Sequence, residues 1–102
     1  MAKFVYVYTG GQMAETPEEQ AAVMQLWGNW FATLAGQLTD GGNPFGASTT
    51  VKSGGSSAPG TSGLTGYSII EADSLESAAD AAAGCPILTS GGQVEVYEAL
   101  AM

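Results

Sequence analysis

Side chains that could transfer a proton at neutral pH are scarce in this sequence. The 102 residues include no histidine, so the side chain whose pKa ordinarily lies nearest 7 is missing. A carboxylate whose pKa is raised by burial could replace it, and Asp40 and Glu95 are the two best placed to reach an inner cavity. In the alternative, Asp40 stabilises a turn and Glu95 lies at a solvated rim or dimer contact. We favour that alternative, because structural carboxylates far outnumber catalytic ones.

Neither the single cysteine nor the clustered acidic residues indicate a reactive centre. Cys85 follows a predicted helix end, where the negative end of the helix dipole disfavours a thiolate, so we predict a buried and inert thiol. Glu71, Asp73, Glu76 and Asp80 are close in sequence, but Asp73 is explained as a helix cap. No histidine or paired cysteine supports a transition-metal site. We therefore predict no metal and no cofactor.

Aromatic side chains are the better candidates for contact with a ligand. The chain has two tryptophans and four tyrosines, and both tryptophans lie on the apolar side of a predicted helix. Core packing is the default for these rings, but surplus apolar surface favours a pocket or an interface with a few polar contacts. The residues predicted to line this pocket or interface are Tyr6, Tyr8, Trp27, Trp30, Asn43, Tyr67, Ser68 and Tyr97.

Composition limits the classes of partner. Apolar residues make up 45% of the chain, which is typical of a globular protein, and the length predicts one domain over residues 1–102. Ten carboxylates against two lysines give a net charge of −8, which repels phosphate backbones and anionic lipid surfaces. We therefore expect neither nucleic acid nor a membrane as a partner. A single cysteine, with no signal peptide and no spanning segment apparent, predicts a cytoplasmic protein.

Periodicity predicts four strands and two helices. Thr16 and Pro17 are a typical helix start, and apolar residues then recur with helical spacing to about Leu38. The apolar arc of this helix spans roughly 180°, wider than contact with one sheet requires, so we expect part of it to face a pocket or a partner. A second helix begins after Asp73 and Ser74 and ends near Gly84. The predicted strands are 3–9, 47–53, 63–72 and 93–99.

This order of elements, β-α-β-β-α-β, predicts an α+β protein with a ferredoxin-like fold. Right-handed crossovers would place both helices on one face of a four-stranded antiparallel sheet. The other face is then bare, although both alternating rows of the first strand are apolar. We expect a second copy of the chain to cover that face and form a homodimer.

Several segments resemble the YCII-related family, which includes the DGPF-type domains. The resemblance extends over nearly the whole chain, and its most specific parts are the GGNP turn and the EADSLESA stretch. The matching segments are FVYVYTGG (4–11), TPEEQAAVMQLWG (16–28), GGNP (41–44), GLTGYSIIEADSLESAADAAAGCP (63–86) and VEVYE (94–98). The resemblance implies a ferredoxin-like protomer and a dimeric α/β barrel.

Two functional hypotheses follow. Members of that family are thought to use a histidine in the first helix with an aspartate as an acid/base pair, but this chain has no histidine and no DGPF motif. The preferred hypothesis is therefore a non-catalytic dimeric module that binds a small apolar or aromatic molecule, or a protein partner. The alternative is an isomerase, lyase or dehalogenase that uses a carboxylate or a tyrosine in place of the histidine.

Overall fold

The computed structural model describes residues 2–11 and 14–101, so Met1, Gln12, Met13 and Met102 of the predicted 1–102 domain lie outside the described residues. Two 3₁₀ helices, Ala35–Gln37 and Pro86–Ser90, accompany the regular elements. In chain order the regular elements are β1 (Ala2–Thr9), α1 (Pro17–Leu34), β2 (Leu38–Asp40), β3 (Thr49–Val51), β4 (Ser57–Pro59), β5 (Leu64–Ala72), α2 (Leu75–Ala82) and β6 (Gln93–Ala99).

Four strands form one sheet in the order β2-β5-β1-β6, and every neighbouring pair is antiparallel. The protein is therefore α+β, with two α-helices and a four-stranded antiparallel sheet in the part of the chain described. This confirms the predicted class, and the arrangement is consistent with a ferredoxin-like fold. None of the described helices is long and apolar enough to cross a membrane.

Both helices begin at side-chain caps that the sequence predicted. The Thr16 hydroxyl accepts a hydrogen bond from the backbone N–H of Glu19 at 3.1 Å, and Pro17 occupies the first turn of α1. Ser74 caps α2 in the same way, through the backbone N–H of Ser77 at 3.1 Å, so the cap is Ser74 and not Asp73, for which a capping role was also predicted. These local bonds determine where each helix starts.

Alternation along β1 separates the two faces of the sheet. Phe4, Tyr6 and Tyr8 are buried on one face. The ring of Trp30 in α1 stacks on Tyr6 with centroids 5.8 Å apart, and the Tyr6 hydroxyl donates to the backbone oxygen of Ala78 in α2. Both helices therefore pack on the face that carries this row.

The opposite face of the sheet carries a second apolar row. Val5 and Val7 are half-buried there, opposite Ile69 and Tyr67 of β5 in the strand register. Tyr97 of β6 lies on the same face and is 55% exposed. The described Cα atoms span only 19 Å along the shortest axis, as expected for one sheet and one helix layer. This second row is called the open sheet face below.

The second strand of the sheet is not the one predicted. The expected strand was 47–53, but the sheet edge is formed by β2, which begins at Leu38, a residue assigned to the helix. Helix α1 ends at Leu34 because Ala35 turns the chain with φ 50° and ψ −122°. Helical spacing and an edge strand both accept a leucine at position 38, so periodicity alone did not separate them.

The segment after β2 instead forms a separate hairpin. Strands β3 and β4 pair with each other and not with the main sheet, and β4 lies within the Gly/Ser-rich stretch 54–62. Gly54 and Gly55 close the turn with φ values of 89° and 88°. The radius of gyration is 15.0 Å, above the value of about 13 Å for a compact domain of this length, in keeping with a projecting hairpin.

Candidate functional site

A cavity of about 590 Å³ lies between α1, β5 and the loop that follows β2. It is called the main cavity below, and its volume is within the range of sites that hold small molecules. The residues that line it are Tyr8, Met24, Trp27, Gly28, Phe31, Gly41, Gly42, Asn43, Pro44, Thr65, Gly66, Tyr67 and Ile87.

Aromatic rings form one wall of the main cavity. Trp27 and Phe31 are four residues apart on α1, so both side chains project from the same side of the helix. The indole of Trp27 meets Tyr8 edge-on with centroids 5.1 Å apart, and it lies 5.8 Å from the Phe31 ring. These packed rings present a firm, mostly apolar surface.

The loop after β2 forms the facing wall, and Gly42 permits its path. Gly42 has φ 77°, and a Cβ atom there would lie 1.7 Å from the backbone oxygen of Tyr67. Asp40 accepts a hydrogen bond from the Gly42 N–H at 2.8 Å, so this carboxylate stabilises the turn. Beyond the turn, Phe45 donates to the oxygen of Thr65 at 2.9 Å, which attaches the loop to β5.

Two successive hydrogen bonds between β1, β5 and the loop hold the same loop in place. The Tyr8 hydroxyl donates to Ser68 Oγ at 2.7 Å, and Ser68 Oγ donates to the backbone oxygen of Gly41 at 2.7 Å. Ser68 is fully buried, so these bonds satisfy a hydroxyl that would otherwise be costly to bury. Burial raises the pKa of the Tyr8 phenol above its ordinary value, so Tyr8 is a neutral hydrogen-bond donor at physiological pH.

A second cavity, of about 340 Å³, lies on the other side of Trp27. The two cavities share four lining residues, which are Trp27, Pro44, Thr65 and Ile87. The second cavity extends from these towards Gly10 and Gly11 and towards the 3₁₀ helix at 86–90. Its remaining lining residues are Val23, Leu26, Phe45, Pro86, Thr89 and Ser90.

Apolar side chains at the mouths of both cavities are open to solvent. Val23 is 40% exposed, Leu26 50% and Met24 74%, although all three belong to the apolar arc of α1. Contiguous exposed apolar surface beside a cavity is a frequent mark of a binding site.

The structure places the predicted pocket residues in three environments. Tyr8, Trp27, Asn43 and Tyr67 line the main cavity, with Ser68 directly behind it. Tyr6 and Trp30 do not line either cavity: both are core residues, with exposures of 0% and 4%, since they pack between α1 and the sheet.

Tyr97 and the two candidate catalytic carboxylates lie away from the cavities. The hydroxyl of Tyr97 donates to Glu95 on the open sheet face, and this hydrogen bond raises the pKa of the Tyr97 phenol. Glu95 is exposed there, and Asp40 is exposed at the turn after β2. Neither carboxylate is therefore buried or lines either cavity.

Sequence reasoning missed several lining residues. Phe31 and Met24 lie one turn from Trp27 on α1, so helical spacing could have identified both. Ile87 and Pro44 reach the cavity only through the paths of the 3₁₀ helix and of the loop, for which the sequence carries no local signal.

Cys85 is buried, and burial raises the pKa of its thiol to about 11. The thiol is therefore protonated at neutral pH and a poor nucleophile. Across residues 2–11 and 14–101, no group of three or more histidine, cysteine, aspartate or glutamate side chains could hold a metal ion.

Comparison of the chain with protein-family models, with curated proteins and with solved structures found no match. The resemblance to the YCII-related family therefore stays a prediction.

Proposed function

We propose that this protein is a non-catalytic dimeric module that binds a small apolar or aromatic molecule in the main cavity. The observation that carries the proposal is the cavity of about 590 Å³ whose wall is built from the packed rings of Tyr8, Trp27 and Phe31. Rigid aromatic walls bury ligand surface without first losing side-chain freedom, which favours binding.

The lining favours binding over catalysis. Among the described residues of the main cavity, the titratable ones are Tyr8 and Tyr67, and Tyr67 pairs with Val7, whose side chain lies on the open sheet face. The Tyr8 phenol is held neutral by burial and donates a hydrogen bond to Ser68 Oγ. An isomerase, lyase or dehalogenase based on Asp40 or Glu95 would need these exposed carboxylates to move, so we prefer the binding role.

The dimer is proposed on the open sheet face. On this side of the sheet, beside Glu95, which accepts a hydrogen bond from the Tyr97 hydroxyl, the side chains of Val5, Val7, Ile69, Tyr67 and Tyr97 form an apolar surface. A second copy packed face to face would remove it from water, and twofold pairing is the commonest form of self-association. Such a dimer of ferredoxin-like protomers would be the dimeric α/β barrel that the YCII resemblance implies. The net charge of −8 argues against nucleic acid and membranes as partners, and the single buried thiol suits a reducing cytoplasm.

Gly28 allows a test of ligand binding with a matched pair of variants. A Cβ atom at Gly28 would meet nothing within 4 Å, although this residue lines the main cavity and lies inside α1. Gly28→Leu should fill the cavity mouth, while Gly28→Ala should leave it open, and both should favour the helix. We expect native mass spectrometry of the purified wild-type protein to show an added stoichiometric mass that denaturation removes. The added mass should persist in Gly28→Ala and disappear in Gly28→Leu. If both variants retain the added mass equally, the ligand binds outside the main cavity.

Tyr97 allows a test of the dimer without disturbing the core, because its side chain is 55% exposed. We expect light scattering to give twice the chain mass for the wild type and for Gln25→Lys, which adds the same charge on α1. Tyr97→Lys should shift the protein towards monomer, because it places a strongly hydrated charge in the proposed interface. A wild-type monomer at micromolar concentration would contradict the proposed dimer.

A further inference from the structure

The walls of both cavities lack charge. No charged side chain occurs among the described residues that line the main cavity or the second cavity. The whole sequence contains only two cationic side chains, Lys3 in β1 and Lys52 in the β3–β4 hairpin, against ten carboxylates. A ligand carboxylate, sulfonate or phosphate placed in these cavities would therefore be buried without an ionic partner.

Two effects weaken the binding of such an anionic ligand. A charged group that leaves water for an apolar site without a partner loses its hydration and gains little in return. The net charge of −8 adds a long-range field that repels anions before they arrive. An uncharged molecule meets neither penalty.

The arrangement of the two cavities indicates the length of the ligand. Both open along α1 and share the walls formed by Trp27, Pro44 and Ile87. The side chains around their mouths, Val23, Leu26 and Met24, are apolar and exposed, so a chain that passes from one cavity to the other would stay on apolar surface. A ligand confined to the main cavity would leave Val23 and Leu26 in water.

From these observations we infer that the ligand is an uncharged, elongated apolar molecule that occupies the main cavity and extends past Trp27 into the second cavity. The inference rests on the proposed binding function and names its ligand class. An anionic amphiphile would need a cationic side chain at the site, and the described residues of both linings include none.

Two fluorescent probes that differ in one sulfonate test the charge. N-phenyl-1-naphthylamine is uncharged, and 1-anilinonaphthalene-8-sulfonate is its anionic counterpart of the same ring skeleton. We expect the wild-type protein to bind the uncharged probe at least about tenfold more tightly. Equal or tighter binding of the sulfonate would overturn the inference but leave the binding function standing. Failure of both probes to bind, together with an unliganded native mass, would contradict the binding function itself.

A pair of lysine variants tests whether the selection arises in the cavity. Met24→Lys would place a cation at the wall of the main cavity, and Asn29→Lys makes the same change of net charge on an exposed residue outside both linings. Met24→Lys should raise the affinity for the sulfonate roughly two- to fivefold, and Asn29→Lys should leave it near the wild-type value. Equal gains in the two variants would assign the selection to the overall charge and overturn its origin in the cavity walls.

Uncharged 1-alkanols of increasing length test the extension into the second cavity. Used as competitors of N-phenyl-1-naphthylamine, they should gain about fourfold in affinity for each added methylene as long as new apolar surface is buried. We expect this gain to continue from 1-hexanol to 1-dodecanol in the wild type. In Leu26→Asp, which places a charge in the second cavity, the gain in affinity should stop at a shorter alkanol. A plateau at the same chain length in both proteins would overturn the extended ligand.

Discussion

The two halves of helix α1 have the same kind of apolar arc but different environments. In the C-terminal half, Trp30 and Leu34 are each 4% exposed and belong to the core. In the N-terminal half, Val23, Met24 and Leu26 are between 40% and 74% exposed. An apolar arc therefore predicts that one side of a helix is apolar. It does not predict whether other residues of the same chain bury that side.

The direction of the helix over the sheet explains the difference. Trp30 stacks on Tyr6 and Trp27 meets Tyr8, so α1 runs antiparallel to β1. Each helical residue advances about 1.5 Å along the axis, while β1 ends at Thr9, one residue beyond Tyr8. Residues that precede Trp27 therefore extend past the end of β1, so no residue of that strand covers them.

The largest predicted effect separates the two halves directly. Trp30→Ala should lower the free energy of unfolding by about 3–5 kcal/mol, because it removes a buried indole and its 3.1 Å hydrogen bond to the oxygen of Ala81. Met24→Ala, in the exposed half, should change it by less than about 0.5 kcal/mol. Urea unfolding monitored by circular dichroism measures both, and similar losses in the two variants would refute the division of the helix.

The next effect concerns the loop that faces the exposed half. Gly42→Ala should cost about 2–4 kcal/mol, because its Cβ would clash with the backbone oxygen of Tyr67 and because φ 77° is unfavourable for alanine. Gly46→Ala is the control, since a Cβ there meets nothing within 4 Å. If Gly42→Ala is as stable as Gly46→Ala, the loop does not follow the path that forms the cavity wall.

Alkaline pH should act through buried phenol and thiol groups, including the Tyr8 phenol, whose pKa burial also raises. Burial raises the pKa of Tyr6 to about 12 and that of the Cys85 thiol to about 11. Both groups hold their protons more tightly in the folded state. Their contribution to the free energy of unfolding is therefore complete below pH 9. It falls as pH rises from the pKa of each group in the unfolded state towards its pKa in the folded state. The urea midpoint should decrease steadily between pH 9 and pH 12.

Two variants test which groups cause this loss of stability at alkaline pH. Tyr6→Phe should weaken the pH dependence, although it also removes the hydrogen bond to the oxygen of Ala78 and lowers stability at neutral pH. Met24→Ala should retain the full pH dependence of the wild type. A urea midpoint that does not change with pH would show that these groups are not buried as the structure describes.

The smallest effect concerns the end of α1 and has the opposite sign. Ala35 has φ 50° and ψ −122°, a backbone conformation that glycine adopts more readily than alanine. Ala35→Gly should therefore raise the free energy of unfolding by about 1 kcal/mol. The same substitution at Ala32, inside the helix, should lower it by roughly 0.5–1 kcal/mol. Thermal unfolding compares the two, and a loss of stability in both would show that the residue at position 35 is not strained.

Local signals in the sequence predicted much of the fold. The caps at Thr16 and Ser74 and the alternation of Phe4, Tyr6 and Tyr8 each depend on neighbours a few residues away, and the structure has all of them. The error at Leu38 arose where two local patterns were equally satisfied. Pairing with Ile70 of β5, a contact between distant residues, decided the outcome.

The candidate site was predicted only in part for the same reason. Aromatic composition pointed to Tyr8 and Trp27, but nothing local distinguished Trp27 at the cavity from Trp30 in the core. That distinction depends on where β1 ends beneath α1.

The sequence by itself determined the apolar arc of α1, the absence of histidine and the strong negative charge, because these follow from residue types and spacing alone. Only the tertiary structure decided which part of the arc is buried and which opens onto the two cavities. The physical reason is that burial depends on what lies opposite a side chain, and here the opposing residues come from strands and a loop that are distant in sequence.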